Sequence, residues 1–501
     1  MKKIIFLLLT VAIFSGCKKI EETDHSTLTT NDVLESASSI DNLLYGAYSA
    51  IAHDETLSGY WKVFPELLAD HVEINVTENL PNDPYVELFN RNMKAAQYEK
   101  SWSLAYRAIQ NANLIIYAID NKIITSEKDP EFYDTKRDAI KGEALFIRAL
   151  TYFELVRFYG HQYGYNSTAP NSGVILRTKP VFNVTKPEEV IGQGRATVEE
   201  VYQSIISDLK AAELLLPPYQ ARRGKATTYV ASAILARVYF QMNDYSNTIL
   251  QVNKVIGPEA GKMERFGLYR NSKVYPAGIT AADAATIALF PFNTTGAQAS
   301  APTETIFDFI SATNSPINTA ITRKYLYSTS VNPHLSISSQ FLTDAQFTIT
   351  PAAKVDGRYA LITIVGTKRY TKKYNKVLEN IPLIRSPELL LNRAEINAMK
   401  ATTDAKAYAD ALADLTLVRE RVNSGYAEAP VPISAVNILA EVQKERIREL
   451  AFEGDRLHNL RRMHKTVGTG TRALPWNSNK LLLKIPDAEI KTSTNIVQNP
   501  D

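Results

Sequence analysis

The sequence predicts an all-α chain: a tetratricopeptide-like helical-repeat scaffold with a long irregular central excursion and a short β-hairpin. Three observations carry this. Apolar residues recur at helical spacing in both the first and the last part of the chain. Two stretches, Thr228 to Ile256 and Pro387 to Val422, read as helix pairs of about tetratricopeptide length. From Gly257 to about Ala360 that period is lost, and Pro258, Pro276, Pro291, Pro302, Pro316, Pro333 and Pro351 interrupt any long helix.

The chain opens on a processing signal. Lys2-Lys3 precede an apolar run from Ile4 to Phe14, closed by Ser15-Gly16-Cys17. The run is too short for a membrane span, which needs roughly 20 residues. Cys17 after Ser-Gly resembles a bacterial lipobox, in which the Cys is acylated and becomes the mature N-terminus. Phe14 stands where Leu is usual. The alternative is a cleaved signal with an incidental Cys. Cys17 is the single Cys of the chain, and a lone thiol in an exported protein needs an explanation that acylation supplies. The expected organisation is therefore a signal peptide over 1–16, then lipidated Cys17 and a polar tether over 17–37. One domain over 38–501 follows, with helical scaffold at 38–256 and 381–501 and a variable, loop-rich region at 257–380.

Each helix has its own signal. Leu43, Leu44, Ala47, Tyr48 and Ile51 share one face, as do Trp102, Ala105, Tyr106, Ile109, Asn113 and Ile116. Ile140 to Tyr159 is the strongest helix, and Gly160 is a natural stop. Thr197 to Glu200 is a capping box, and Pro217-Pro218 ends the helix it opens. Asn243-Asp244 turns the first helix pair, and Ser386-Pro387 offers an N-cap with Pro at N1 for the second. Ala360 to Val365, Gly366-Thr367 and Lys368 to Tyr374 read as a hairpin with Gly at the first position of a type II′ turn.

Composition narrows the function. About 485 residues remain after cleavage, enough for a sizeable core. Loss of Lys2 and Lys3 lowers the formal charge from +3 to +1. Such a balance argues against nucleic acid, whose phosphates need concentrated basic charge. The 26 Tyr against 18 Phe and 3 Trp favour wet, half-exposed aromatic surfaces.

Several blocks resemble one family. Gly142 to Gly160 (GEALFIRALTYFELVRFYG) is similar to the signature helix of the SusD/RagB family of Bacteroidetes outer-membrane lipoproteins. Asn42 to Tyr48, Ile381 to Glu395, Glu445 to Arg456, and Leu483 to Pro486 with Asn495 to Pro500 follow in the family's order. The resemblance implies a tetratricopeptide-like fold without catalytic residues or cofactor. It implies a lipid-anchored protein of the cell outer membrane, facing the exterior. Such a protein captures a nutrient, an oligo- or polysaccharide or in some members peptide, for a SusC-like TonB-dependent β-barrel transporter. The matched blocks are scaffold, so ligand residues do not carry over with them.

Candidate ligand residues come instead from aromatics near predicted loops, because sugar CH faces stack on exposed rings. Trp61 and Tyr60 follow the helix break at Gly59, and Tyr85 and Phe89 flank a Pro- and Asn-rich turn. Tyr269, Tyr275, Phe292, Tyr325 and Tyr327 lie in the irregular region. Core packing is the competing reading for each, and Trp61 is the best of them. Trp102 reads as core, and Trp476 after Pro475 is undecided. Glu66, Asp70, His71 and Glu73 lack zinc-helix spacing and read as a solvated helix end rather than a metal site. Glu445 to Arg456 reads as an ion-pair-laced helix. A helical-repeat protein–protein adaptor and a glycan-cleaving enzyme remain as alternative functions.

Overall fold

The computed structural model describes residues 34–75, 84–182, 193–220, 223–266, 304–310, 333–347, 356, 358, 361–374, 380–422 and 432–501. Cys17 and the signal lie outside them, as do Tyr269, Tyr275, Phe292, Tyr325 and Tyr327.

The long helices form a relay in which each packs on the next long helix of the chain. Helix α1 (Ala37–Ile51) is followed by α2 (Tyr60–Leu68), α3 (Pro84–Phe89), α4 (Glu99–Asp120), α5 (Arg137–Tyr159) and α6 (Val198–Leu215). The first repeat pair is α7 (Thr228–Gln241) and α8 (Tyr245–Ile256). The second is α10 (Ser386–Ala398) and α11 (Ala405–Val422), after the short α9 (Ser339–Ala345). Then come α12 (Ile438–Glu449), α13 (Arg456–Arg462) and α14 (Asp487–Thr492). Packing runs α1 on α4, α4 on α5, α5 on α6, α6 on α7, α7 on α8, α8 on α10, and α10 on α11 and α12. This nearest-neighbour stacking is that of a helical-repeat scaffold.

The local signals act as read. Thr197 Oγ1 accepts from Glu200 N–H at 3.1 Å, and Glu200 Oε2 accepts from Thr197 N–H at 2.8 Å. Thr197 Oγ1–H also donates to Glu200 Oε2 at 2.9 Å, and the backbone and hydroxyl bonds to this oxygen together hold the Glu200 carboxyl below the usual range. Asn243 takes the left-handed backbone at φ 61°, and Asp244 caps α8 by accepting from Asn247 N–H. The second pair departs by one residue. Arg385 is the N-cap of α10, and Ser386 is its first helical residue. The reason is that Ser386 N–H donates to Glu304 O at 2.8 Å, running the preceding strand directly into the helix.

Besides α9, the described parts of the central region include strands, two of them pinned to the scaffold. Strand β2 (Thr305–Phe309) pairs antiparallel with β6 (Ile381–Arg385), and β3 (Leu335–Ile337) with β1 (Val72–Ile74). Strands β4 (Ile362–Val365) and β5 (Lys368–Thr371) make the predicted hairpin. Gly366 has φ 59° while Thr367 keeps negative φ, which fits type II′ and excludes type I′.

The charged run from Glu445 is ion-paired as expected, but its helical part is buried and the helix stops before the run does. Helix α12 ends at Glu449, and Glu445, Arg446, Arg448 and Glu449 are all buried. Glu445 and Arg448 pair within the helix at 3.2 Å, and their other partners lie on other elements. Arg446 binds Asn392 at 2.6 Å, and Glu445 accepts from Arg358 at 2.5 Å and from Arg419 at 3.0 Å. Buried charges need such partners, and the helical relay brings them together.

Candidate ligand-binding site

The turn that closes α1 also aims α2. Thr56 Oγ1 donates to Ala50 O and Ile51 O, each at 2.9 Å, and Tyr60 N–H reaches back to Asp54 O at 2.8 Å. Gly59 sits at the pinch of this turn, where an added Cβ meets Asp54 O at 1.8 Å. Helix α2 therefore starts at Tyr60 with a fixed rotation.

That rotation corrects the expectation for Trp61. Successive helical residues point about 100° apart, so Tyr60 and Trp61 face different ways. Trp61 is only 3% exposed and packs against Phe158 at 5.9 Å. Trp61 thus belongs to the core, as does Trp102. Tyr60 is half-buried, stacks on Phe64 at 5.4 Å with a 17° interplanar angle, and meets Tyr85 at 5.6 Å. Tyr85 is itself buried, because it packs between Tyr60 and His334 and not out from its turn. Phe89 is half-buried, with the Arg472 guanidinium 3.6 Å from its ring centroid.

Tyr60 opens onto a groove of about 680 Å³. Its other wall is the 3₁₀ turn Ala95–Tyr98 and the first turns of α4. Tyr60, Phe64, Tyr98 and Leu104 supply apolar surface, and His53, Glu55, Gln97, Lys100, Ser103 and Arg107 supply a polar rim. Tyr98 meets Phe64 edge-on at 5.4 Å. Burial pushes the Tyr98 phenol well above its ordinary range, so it stays protonated. Gln97 Nε2 and Tyr98 Oη are buried without a hydrogen-bond partner in the protein. Glu55 pairs with Lys100 at 3.2 Å, and burial raises its pKa. The volume and lining suit a small organic ligand carrying hydroxyls. Phe64 and Tyr98 escaped sequence reading, although Phe64 lies four residues after Tyr60 and so on the same helix face.

Two other clusters do different work. A cavity of about 50 Å³ lies among Lys62, Glu154, Arg237, Arg385, Glu388 and Glu453, with room for a few waters. Asp70 and His71 are buried rather than solvated, and so is Glu66, while Glu73 is exposed. Asp70, His71 and Asp344 converge, but Arg456 lies among them. It donates to Asp70 at 2.8 and 2.9 Å and to Asp344 at 2.9 Å. The guanidinium supplies the positive charge this cluster needs.

Comparison with known proteins agrees with the fold. Residues 20–240 match the SusD-like family model described as starch-binding and associating with the outer membrane. Residues 354–481 match the SusD family model.

The chain belongs to the SusD/RagB family.

Members of this family are binding proteins associated with the outer membrane. No described helix is long and apolar enough to cross a membrane. SusD-like protein P2 of Formosa agariphila is 25% identical over 258 residues, 52% of this chain and 46% of that protein. A SusD-like protein of Bacteroides ovatus is 31% identical over 147 residues, 29% of this chain and 23% of that protein. The chain thus spans less than half the length of these curated relatives. Among solved structures, a SusD superfamily protein from Bacteroides thetaiotaomicron superposes with a TM-score of 0.74. Its identity is 22%, covering 95% of this chain and 100% of that one. A putative sugar binding protein from Bacteroides vulgatus gives 0.72 at 25% identity, over 92% and 98%. A laminarin binding SusD-like protein gives 0.66 at 18% identity, over 93% and 99%.

Proposed function

We propose that this SusD-family chain captures a glycan at the Tyr60–Tyr98 groove and delivers it to a partner TonB-dependent outer-membrane transporter. The observation that carries the reading is the groove itself: an aromatic floor with a polar rim, of the size of a small-ligand site. Sugar CH faces lie on Tyr60, while Gln97, Lys100 and Arg107 take hydroxyls. The names of the laminarin binding and putative sugar binding relatives support carbohydrate as the ligand class. Residues 1–16 are the signal, Cys17 carries the lipid, and 17–37 tether a single binding domain over 38–501. Tethering raises the effective concentration beside the transporter, so modest single-site affinity suffices. The reaction is capture without bond cleavage.

The test is calorimetric titration of the whole chain with laminarin, soluble starch and oligopeptides, with product analysis beside it. Glycan binding without release of reducing sugar, weakened about 2- to 10-fold in Tyr60→Ala, supports the reading. Binding of peptide alone replaces the ligand class. Release of sugar, or binding of neither ligand, overturns the reading.

A further inference from the structure

Four aromatic rings that take no part in the groove meet at one place. Trp476 is the one tryptophan of the three that is not in the core. His464 lies flat on it, with ring centroids 3.9 Å apart and planes within 13°. Tyr165 stands against the same indole at 5.4 Å and 77°, and His161 meets Tyr165 at 5.5 Å. His464 is exposed, and the other three rings are half-exposed.

The backbone is shaped to present these rings. His464 follows the C-cap of α13, where His464 N–H donates to Arg461 O and Lys465 N–H to Leu460 O. This is the Schellman arrangement, whose left-handed position normally takes Gly. Here φ is 54° with a His side chain in place. Tyr165 is flanked by two left-handed residues, Gly164 at 87° and Asn166 at 50°. Non-glycine residues hold this conformation at a cost, and such strain gathers at functional sites.

We infer that the corner formed by His464, Trp476 and Tyr165 is a second carbohydrate-binding surface, separate from the groove and suited to a neutral pyranose. The inference rests on the reading that the ligand is a glycan. The parallel pair offers a flat face for ring CH groups, and the upright Tyr165 bounds it on one side. Every ring in the group carries a polar edge for hydroxyls. Burial beside Arg461 and Arg195 pushes His161 down to about 4, so it is neutral and keeps an acceptor nitrogen. A polymer long enough to touch both surfaces gains from two weak contacts on one chain.

The test is affinity electrophoresis of the whole chain in gels containing laminarin or soluble starch. The variants are His464→Gly, Trp476→Ala, Tyr60→Ala and the Tyr60→Ala/His464→Gly pair. His464→Gly removes the imidazole but restores the residue this backbone prefers, so lost binding is not lost folding. The melting temperature is recorded for each variant. The expected result is retardation weakened about 2- to 10-fold in His464→Gly and in Trp476→Ala, with a further loss in the pair beyond Tyr60→Ala alone. His464→Gly and Trp476→Ala variants that bind like the parent overturn the inference and leave the groove reading standing. Loss in these two variants with Tyr60→Ala unaffected supports the corner and removes the groove. A parent chain that binds neither polymer overturns both.

Discussion

Arg385 Nη1 donates to Glu449 Oε1 across 2.8 Å where both side chains are almost wholly shielded from water. The same guanidinium also reaches Glu304 at 2.9 Å and Glu453 at 2.5 and 3.0 Å. It thereby ties together strand β6, the segment before β2, the end of α12 and the turn after it.

Removing one side of such a network leaves charge buried without a partner. Arg385→Met is expected to lower stability by about 3–5 kcal/mol, read from urea unfolding midpoints. A double-mutant cycle with Glu449→Gln should give a coupling of about 0.5–3 kcal/mol. A coupling near zero would show that the two side chains are held independently.

Glu66 is buried and accepts Gly454 N–H at 3.0 Å, while its second oxygen has no partner. Burial pushes its pKa up to about 8. A carboxyl raised on folding stabilises the fold most below its unfolded pKa of about 4.5 and loses that contribution as pH rises to about 8. The group's share of the decline is of order 5 kcal/mol. Glu66→Gln keeps the acceptor and removes the titration. Its stability should fall less than the parent's between pH 5 and about 8, followed by chemical denaturation at each pH. Parallel curves would refute the assignment.

Tyr60 and Trp61 are neighbours with opposite expected phenotypes. Trp61→Ala opens a core cavity and should cost about 3–5 kcal/mol in stability. Tyr60→Ala should leave the melting temperature nearer the parent and weaken glycan binding. Equal stability losses in the two variants would show that Tyr60 is core as well.

Gly59 holds the turn that sets this division. A methyl group at Gly59 collides with Asp54 O. Gly59→Ala should destabilise by about 1–3 kcal/mol. It should also weaken glycan binding, because the turn must open and carry Tyr60 with it. Full binding after the substitution would detach the groove from the turn.

Much of the scaffold was legible because its signals are local. The Thr197 capping box, the Asn243-Asp244 turn, the Gly366 hairpin and the apolar face from Ala144 to Phe158 each depend on residues within a turn or two of one another. The groove was half legible. Tyr60 stood out as an aromatic beside a helix break, whereas Phe64 and Tyr98 looked like ordinary apolar positions. The corner at Trp476 was barely legible, since Trp476 alone drew notice and nothing near it named Tyr165 or His161.

Helix positions, repeat pairing and family membership are written in short-range patterns and ordered motifs, so the chain alone determines them. Which side of a helix meets water is different. A period of 3.6 residues says which residues share a face, and only the packing partners say which face is inside. Trp61 turned inward because Phe158 lies beneath it. Glu445 and Glu449 are buried because Arg358, Arg385 and Arg419 arrive from distant segments to neutralise them. Those contacts span tens of residues, and no local pattern encodes them.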